Sequence, residues 1–133
     1  MRKHRQLGMR VQAGGELTSL EELVRKTKKA SGAVAVAVVS RDGVVLEADM
    51  PPSVGRETFS IMCATILGAG MTAAHELGKT PPHRVILESE DLRIVIRESG
   101  RRSMVVAVVH PDTDIERLDA VLKELCAFVA VQV

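Results

Sequence analysis

The sequence predicts an α+β domain in which one antiparallel sheet of five strands is covered by helices on both faces. Hydrophobic side chains alternate between helical spacing and strand-like runs along the 133 residues, in the order αββαβββα. Two of the strand candidates, 33–39 and 104–109, are continuous apolar runs, which are typical of strands buried on both sides. We therefore expect a three-layer sandwich, with the first and last helices on one face and the central helix on the other.

The third observation concerns the predicted central helix, which carries no Asp, Glu, Lys or Arg for 18 residues between Glu57 and Glu76 in a chain that is 26% charged. A helix that covers one face of a soluble domain normally presents charged side chains to water on its other side. We therefore expect both sides of this helix to be covered, most simply by a second copy of the chain. The predicted fold is thus that of a dimer.

Residues 1–16 are predicted to be a flexible basic tail, and the folded domain is expected to span residues 17–133. The tail begins with a basic run at 2–5 and contains a Gly-Gly pair at 14–15. An arm that binds an acidic partner is the alternative, which four basic residues do not establish.

The first helix is predicted to begin at a capping box formed by Thr18 and Glu21, and to end at Gly32. The apolar run that follows is the first strand. Asp42-Gly43 then predicts a tight hairpin turn, because glycine accepts a positive φ. Residues 44–48 return as the second strand.

The central helix is predicted from Gly55 to Gly78, with Pro81-Pro82 beyond its end. At about 100° per residue, one apolar stripe should lie on the sheet: Phe59, Met62, Cys63, Ile66, Gly70, Ala73 and Leu77. The opposite face is expected to pack closely against the second copy, since most of its residues are small: Ile61, Ala64, Thr65, Gly68, Met71, Thr72 and His75.

The last elements are three strands and a helix. Strand 83–88 is expected at an edge of the sheet, where it can pair with a second chain through Val85, Ile86 and Leu87. Strand 92–97 alternates, with Leu92, Ile94 and Ile96 predicted inward and Arg93, Val95 and Arg97 outward. Thr113 and Glu116 form a second predicted capping box. They open an amphipathic helix whose apolar stripe is Ile115, Leu118, Leu122, Leu125 and Val129.

Four segments carry a family resemblance: Leu20-x-x-Leu23, Gly32 to Val36, Asp42 to Leu46, and Gly100 followed by Met104 to Val109. With these segments the chain resembles the Roadblock/dynein light chain family, whose fold is profilin-like or longin-like. The resemblance implies a small, non-catalytic, obligate dimer in which the central helices pack together and the third strands join two sheets into one. It also implies a platform that binds a small Ras-like GTPase or assembles into a larger scaffold.

A dinucleotide-binding fingerprint is the alternative function. Residues 68–73 match G-x-G-x-x-A, and Glu88 stands 20 residues after Gly68, where a ribose-binding carboxylate belongs. A Rossmann-like protein would use Gly68-Ala69-Gly70 and Glu88 in this way. Against it, the following helix would end at Gly78, and the flanking elements are hairpins rather than βαβ units. Close helix packing is the preferred explanation of these glycines.

Composition bears on several further function classes. The net charge is +1 and only two residues are aromatic, so neither attraction of a nucleic acid nor base stacking is expected. The central segment is predicted to be too short and too polar for a membrane span. Well-separated cysteines and the lack of a secretory signal predict a cytoplasmic protein with reduced thiols.

No catalytic residue, cofactor or metal site is expected, because the histidines and serines lack ligand or nucleophile spacing. A small-molecule sensor is a weaker alternative, since few aromatic side chains are available to line a cavity. The sequence does not distinguish a homodimer from a heterodimer with a sister chain.

Overall fold

The computed structural model describes residues 9–11 and 17–132. Two short strands precede the first helix, and the remaining elements follow the predicted order. In chain order they are β1 (Met9–Val11), β2 (Leu17–Ser19), α1 (Leu20–Ser31), β3 (Ala35–Ser40), β4 (Val45–Asp49), α2 (Arg56–Glu76), β5 (Arg84–Glu88), β6 (Arg93–Ser99), β7 (Ser103–Val109) and α3 (Ile115–Gln132).

Five of the strands form one antiparallel sheet in the order β4-β3-β7-β6-β5. The two apolar runs, β3 and β7, lie side by side within it, from Ala35 opposite Val108 to Ser40 opposite Ser103. Every residue of β7 is buried. The prediction that strand 83–88 lies at an edge is confirmed, and β4 forms the other edge.

The first and last helices share one face of the sheet, as predicted. α1 buries Leu23, Val24 and Thr27, and the Thr27 hydroxyl donates a hydrogen bond of 2.7 Å to the Leu23 carbonyl. That bond satisfies the buried hydroxyl within the helix. The buried residues of α3 are those of its predicted stripe together with Phe128, except that Ile115 is only half-buried: Leu118, Leu122, Leu125, Phe128 and Val129.

α2 covers the other face. Its buried residues, Ser60, Cys63 and Leu67, lie over a layer of small side chains on β3 that includes Ala35 and Ala37. Burial of Leu67 against this layer contributes about 1.5–3 kcal/mol. The predicted three-layer arrangement is thus confirmed for the single chain.

Strand β6 differs from the prediction. Val95 of β6 was expected to face outward. It is fully buried instead, because the side of the sheet that it faces is covered by α1 and α3. The alternation marks the two faces correctly, yet both faces are covered by helices. Arg93 and Arg97 are therefore half-buried beside α3 rather than open to water.

Both predicted N-caps are displaced by one residue, and only α1 has a capping box. Ser19 caps α1: its hydroxyl accepts the Glu22 N–H at 3.1 Å, and the Glu22 carboxylate accepts the Ser19 N–H at 3.3 Å. Asp114 caps α3 by accepting the N–H groups of Glu116 and Arg117 at 3.0 and 3.3 Å. The predictions with Thr18 and Thr113 were wrong because each helix begins one residue later, so the neighbouring short polar side chain takes the capping position.

A small hairpin precedes α1, and the sequence analysis did not predict it. β1 pairs antiparallel with β2, with Met9 opposite Ser19 and Val11 opposite Leu17. The flexibility predicted for residues 1–8 and 12–16 falls outside the described residues. The boundary at residue 17 stays a prediction.

The two cysteines are free and lie on opposite sides of the sheet, Cys63 in the α2 layer and Cys126 in the α3 layer. Burial raises the pKa of each thiol to about 11 from an ordinary value of 9.0. The thiolate is the nucleophile, so at pH 8 the folded chain should react with iodoacetamide about 100-fold more slowly than the unfolded chain.

Mass spectrometry of timed samples, with and without urea, measures this difference. Because the folded pKa is raised, the native rate should climb as the pH rises toward 11. A native rate equal to the rate in urea would contradict the burial of these thiols.

Candidate protein-interaction surface

α2 is a complete, capped helix. Gly55 occupies its N-cap, and Gly78 stands in a left-handed conformation (φ 69°) after its end. The Gly78 N–H donates to the His75 carbonyl at 2.9 Å and the Lys79 N–H to the Ala74 carbonyl at 3.0 Å. These two bonds form a Schellman motif, which ends the helix sharply.

The contacts of α2 with the sheet are rotated relative to the predicted stripe. Met62, Ala73 and Leu77, expected on the sheet, are exposed. Ala64 and Met71, expected on the outer side, are half-buried against the sheet. Apolar residues occur all round this helix, so their periodicity does not fix its orientation.

Met71 is also held by a charged pair at the end of the sheet. The Arg41 guanidinium donates to the Glu98 carboxylate at 2.5 Å and to the Met71 sulfur at 3.3 Å. Arg41 precedes the hairpin turn of β3 and β4, and Glu98 lies on β6. This contact holds the Met71 side chain between α2 and the sheet.

The opposite side of α2 is exposed and uncharged. Ile61 is 48% exposed and Met62 50%. The Thr65 hydroxyl donates to the Ile61 carbonyl at 2.9 Å, so the helix itself satisfies this polar group. We call this surface the outer face of α2. It consists of Ile61, Met62, Thr65, Gly68, Ala69, Thr72 and Ala73.

The second half of α2 passes over the edge strand β5. A Cβ placed on Gly70 would lie 3.5 Å from a methyl carbon of Val85 and 3.6 Å from Pro82, which are ordinary contact distances, so this part of the helix lies against the strand. Val85 packs with the α2 layer and Ile86 with the α3 layer, as strand alternation requires. The predicted trio is therefore divided between the two faces, and Leu87 is 40% exposed. His75 lies exposed on the last turn of α2.

Salt bridges hold β5 on its other face. Arg84 of β5 and Arg97 of β6 stand opposite each other in register, and both pair with Asp119 of α3. The Arg97 Nη1 to Asp119 Oδ1 distance is 3.2 Å. In the described part of the chain, β5 pairs with β6 alone. The outer face of α2 is thus bordered by a strand edge that is unpaired among the described residues.

The dinucleotide-binding alternative is wrong. Gly68, Ala69 and Gly70 lie in the middle of α2, and residues 64–67, which would have to form a strand, are helical as well. A pyrophosphate binds at a helix N-terminus, where backbone N–H groups are free. In the middle of a helix these groups are used by the helix itself. Glu88 ends the edge strand β5.

The expectation that the uncharged segment is too short for a membrane is also wrong. α2 has 21 residues, and by length and composition it could cross a bilayer. Its buried side chains, however, hold it on the sheet, and a spanning helix would have to leave that layer open. Among the described residues, no group of three or more His, Cys, Asp or Glu is placed to hold a metal ion.

The layer order and the five-stranded sheet define the class of protein: an α+β domain of the profilin-like type. The chain belongs to the Roadblock/LC7 family, since the Roadblock/LC7 domain matches residues 19–109. This confirms the family resemblance of the sequence.

The chain is also similar to several other proteins. Two uncharacterised proteins of Methanocaldococcus jannaschii are 25% identical over 87 residues, which cover 65% of this chain and 76% of theirs. Myxococcus xanthus MglB has the same fold, with a TM-score of 0.78 at 13% identity over 84% of this chain and 85% of that one. An MglB solved in a tetrameric arrangement gives a TM-score of 0.77 at 19% identity, over 85% and 86% of the two chains.

Proposed function

We propose that the chain is a non-catalytic interaction module that dimerises through the outer face of α2 and the edge of β5, and that the dimer regulates or scaffolds a small Ras-like GTPase in the cytoplasm. The observation that carries the proposal is the exposure of Ile61 and Met62 on an uncharged helix face beside β5, whose outer edge is unpaired among the described residues.

Packing energy favours such a dimer. Full burial of a side chain like Ile or Met contributes about 1.5–3 kcal/mol, and roughly half of each of these two is still exposed. In a two-fold symmetric pair, each copy contributes the same residues, so the gain is doubled. Gly68, Ala69 and Thr72 are small enough for the second helix to come close.

Strand β5 is self-complementary. Its five residues run from Arg84 through Ile86 to Glu88. If two copies pair antiparallel about Ile86, Arg84 of one copy stands opposite Glu88 of the other. Directly opposed unlike charges stabilise an antiparallel pair by about 0.2–1 kcal/mol. The two sheets would then join into one, as the family resemblance implies.

The GTPase is the finer part of the proposal. Its support is membership of the Roadblock/LC7 family, together with the similarity of the fold to that of MglB. A heterodimer with a sister chain would use the same surface. An uncharged helix pair with joined sheets offers a broad, rigid platform, and such a platform suits a folded protein partner better than a small ligand.

Light scattering over a range of concentrations tests the dimer, and capture of purified Ras-like GTPases in their GDP and GTP states tests the partner. We expect twice the chain mass of 14.4 kDa and retention of a GTPase in one nucleotide state. A monomer at high concentration would contradict the proposed interface. A stable dimer that retains no GTPase would leave the interface standing and refute the GTPase role.

A further inference from the structure

The last helix, α3, runs along β6. Near one end of the strand the Arg93 guanidinium donates to the Thr113 carbonyl at 3.0 Å, and at the other end the Ser99 hydroxyl donates to the Cys126 carbonyl at 2.6 Å. Segments 93–99 and 113–126 both span about 20 Å, so the helix axis is parallel to the strand. The buried side of α3 packs on β6 and β7, and β5 lies beyond it at the edge of the sheet.

The side of β5 that faces α3 carries one apolar residue between two charged ones. Ile86 packs with the α3 layer, and Arg84 and Glu88, two positions away in each direction, lie on the same face of the strand. Arg84 and its neighbour in register, Arg97 of β6, both pair with Asp119 of α3. Two guanidinium groups therefore share one carboxylate.

Positive charge is in excess on this face. Arg93, the third arginine there, pairs with Glu88 at 3.7 Å, so three guanidinium groups meet two carboxylates. The side chains of these three arginines are between 26% and 31% exposed. Because a guanidinium group has five N–H donors, each arginine keeps donors for a carboxylate that comes from outside the chain.

In the proposed dimer this face becomes the floor of a groove, so the inference rests on the proposed function. When two copies pair about Ile86, the two β5 strands lie side by side, with a β6 and an α3 on each flank. Neighbouring strands are about 4.8 Å apart, which places the two α3 axes about 19 Å from each other. Packed helices lie 8–10 Å apart, so the space between the two α3 helices is about one helix wide.

We propose that this groove binds one amphipathic helix of a partner protein, with acidic residues on its buried side. Its apolar residues contact the two Ile86 side chains, and its carboxylates pair with the arginines on either side of them. The two charged rows are about 13 Å apart, which corresponds to acidic residues about eight positions apart in the helix. An extended peptide fits less well, because both β5 edges are already paired in the dimer.

Fluorescence anisotropy with designed helical peptides tests the groove on the full chain. Each peptide has about 24 residues, a central apolar stripe, and two Glu residues four, eight or fifteen positions apart; a fourth peptide has Lys in place of Glu at the spacing of eight. The Glu peptide with a spacing of eight should bind tightest, with one peptide per two chains, and about ten-fold tighter than its Lys counterpart. Equal binding of all four peptides would overturn the proposal.

The variant Arg93→Glu supplies a second measurement. It should weaken binding of the Glu peptide about ten-fold and strengthen binding of the Lys peptide, a reversal that structural damage alone would not produce. Arg102→Glu, in the exposed β6–β7 turn, is the matched control and should leave both affinities unchanged. The peptide series on the parent chain decides the proposal even if Arg93→Glu fails to fold.

Light scattering of the same samples separates this proposal from the proposed function. A dimer that binds none of the peptides would overturn the groove and leave the proposed interface standing. A monomeric parent chain would refute the interface and the groove together, because the floor of the groove needs two β5 strands. Loss of the GTPase role alone would leave the expected peptide binding unchanged.

Discussion

Gly68→Arg is expected to convert the proposed dimer into a folded monomer. A Cβ at this position meets no atom within 4 Å in the single chain, and Gly68 is exposed, so the monomer has room for a side chain there. Replacing a helical glycine by arginine also improves helix propensity by up to about 1 kcal/mol. In the dimer, the same side chain would place a charge without a partner between two closely packed helices, at a penalty of several kcal/mol.

Light scattering measures the loss of the dimer. Thermal unfolding, monitored by circular dichroism, measures the stability of the helix, so the two methods separate these effects. Ala120→Arg is the matched control, because Ala120 lies exposed on the side of α3 away from the sheet. The control should keep both the mass and the helical signal of the parent dimer. If Gly68→Arg stayed dimeric, the outer face of α2 would not form the interface, and the proposed function would have to rest on β5 alone.

The existence of α2 was predictable, but its orientation was not. The 18 uncharged residues and the flanking glycines predict the helix, and they are the basis for proposing a partner for it. They do not indicate which side touches the sheet, because Met62 and Leu67 are equally apolar. That choice depends on the packing of α2 against the sheet, which comes from other parts of the chain and which buries Leu67 and leaves Met62 exposed.

Prediction from the sequence has a similar limit for β5, the edge strand beside α2. The apolar runs that became β3 and β7 indicated the middle of the sheet, so an edge position for β5 followed. The salt bridges of Arg84 and Arg97 with Asp119 could not be predicted from the sequence, because Asp119 is far from both arginines in the chain and each residue looks like an ordinary exposed charge. Gly70 carried a misleading signal: it matched a phosphate-binding pattern, but it lies in the middle of α2, beside Val85.

The hairpin turn at Gly43 contacts the first half of α2 at Ile61. Replacement of Gly43 by alanine should destabilise the fold more than the same replacement at a turn glycine with open space around it. Gly43 has φ +93° and is buried. A Cβ there would lie 3.1 Å from the Ile61 Cα, which is helix backbone and cannot rotate away. Gly43→Ala should therefore combine backbone strain of about 1–2 kcal/mol with overpacking of about 1–3 kcal/mol.

Gly78→Ala is the matched control. Gly78 also has a positive φ, +69°, and flanks α2, but nothing lies within 4 Å of its Cβ position. Gly78→Ala should lower the free energy of unfolding by the backbone strain alone, about 1–2 kcal/mol. Urea unfolding measures both free energies, and their difference isolates the contact with Ile61. Equal losses would mean that the helix yields at this contact without penalty. A larger loss in Gly43→Ala, with weaker dimerisation, would mean that the hairpin turn sets the position of Ile61 on the outer face of α2.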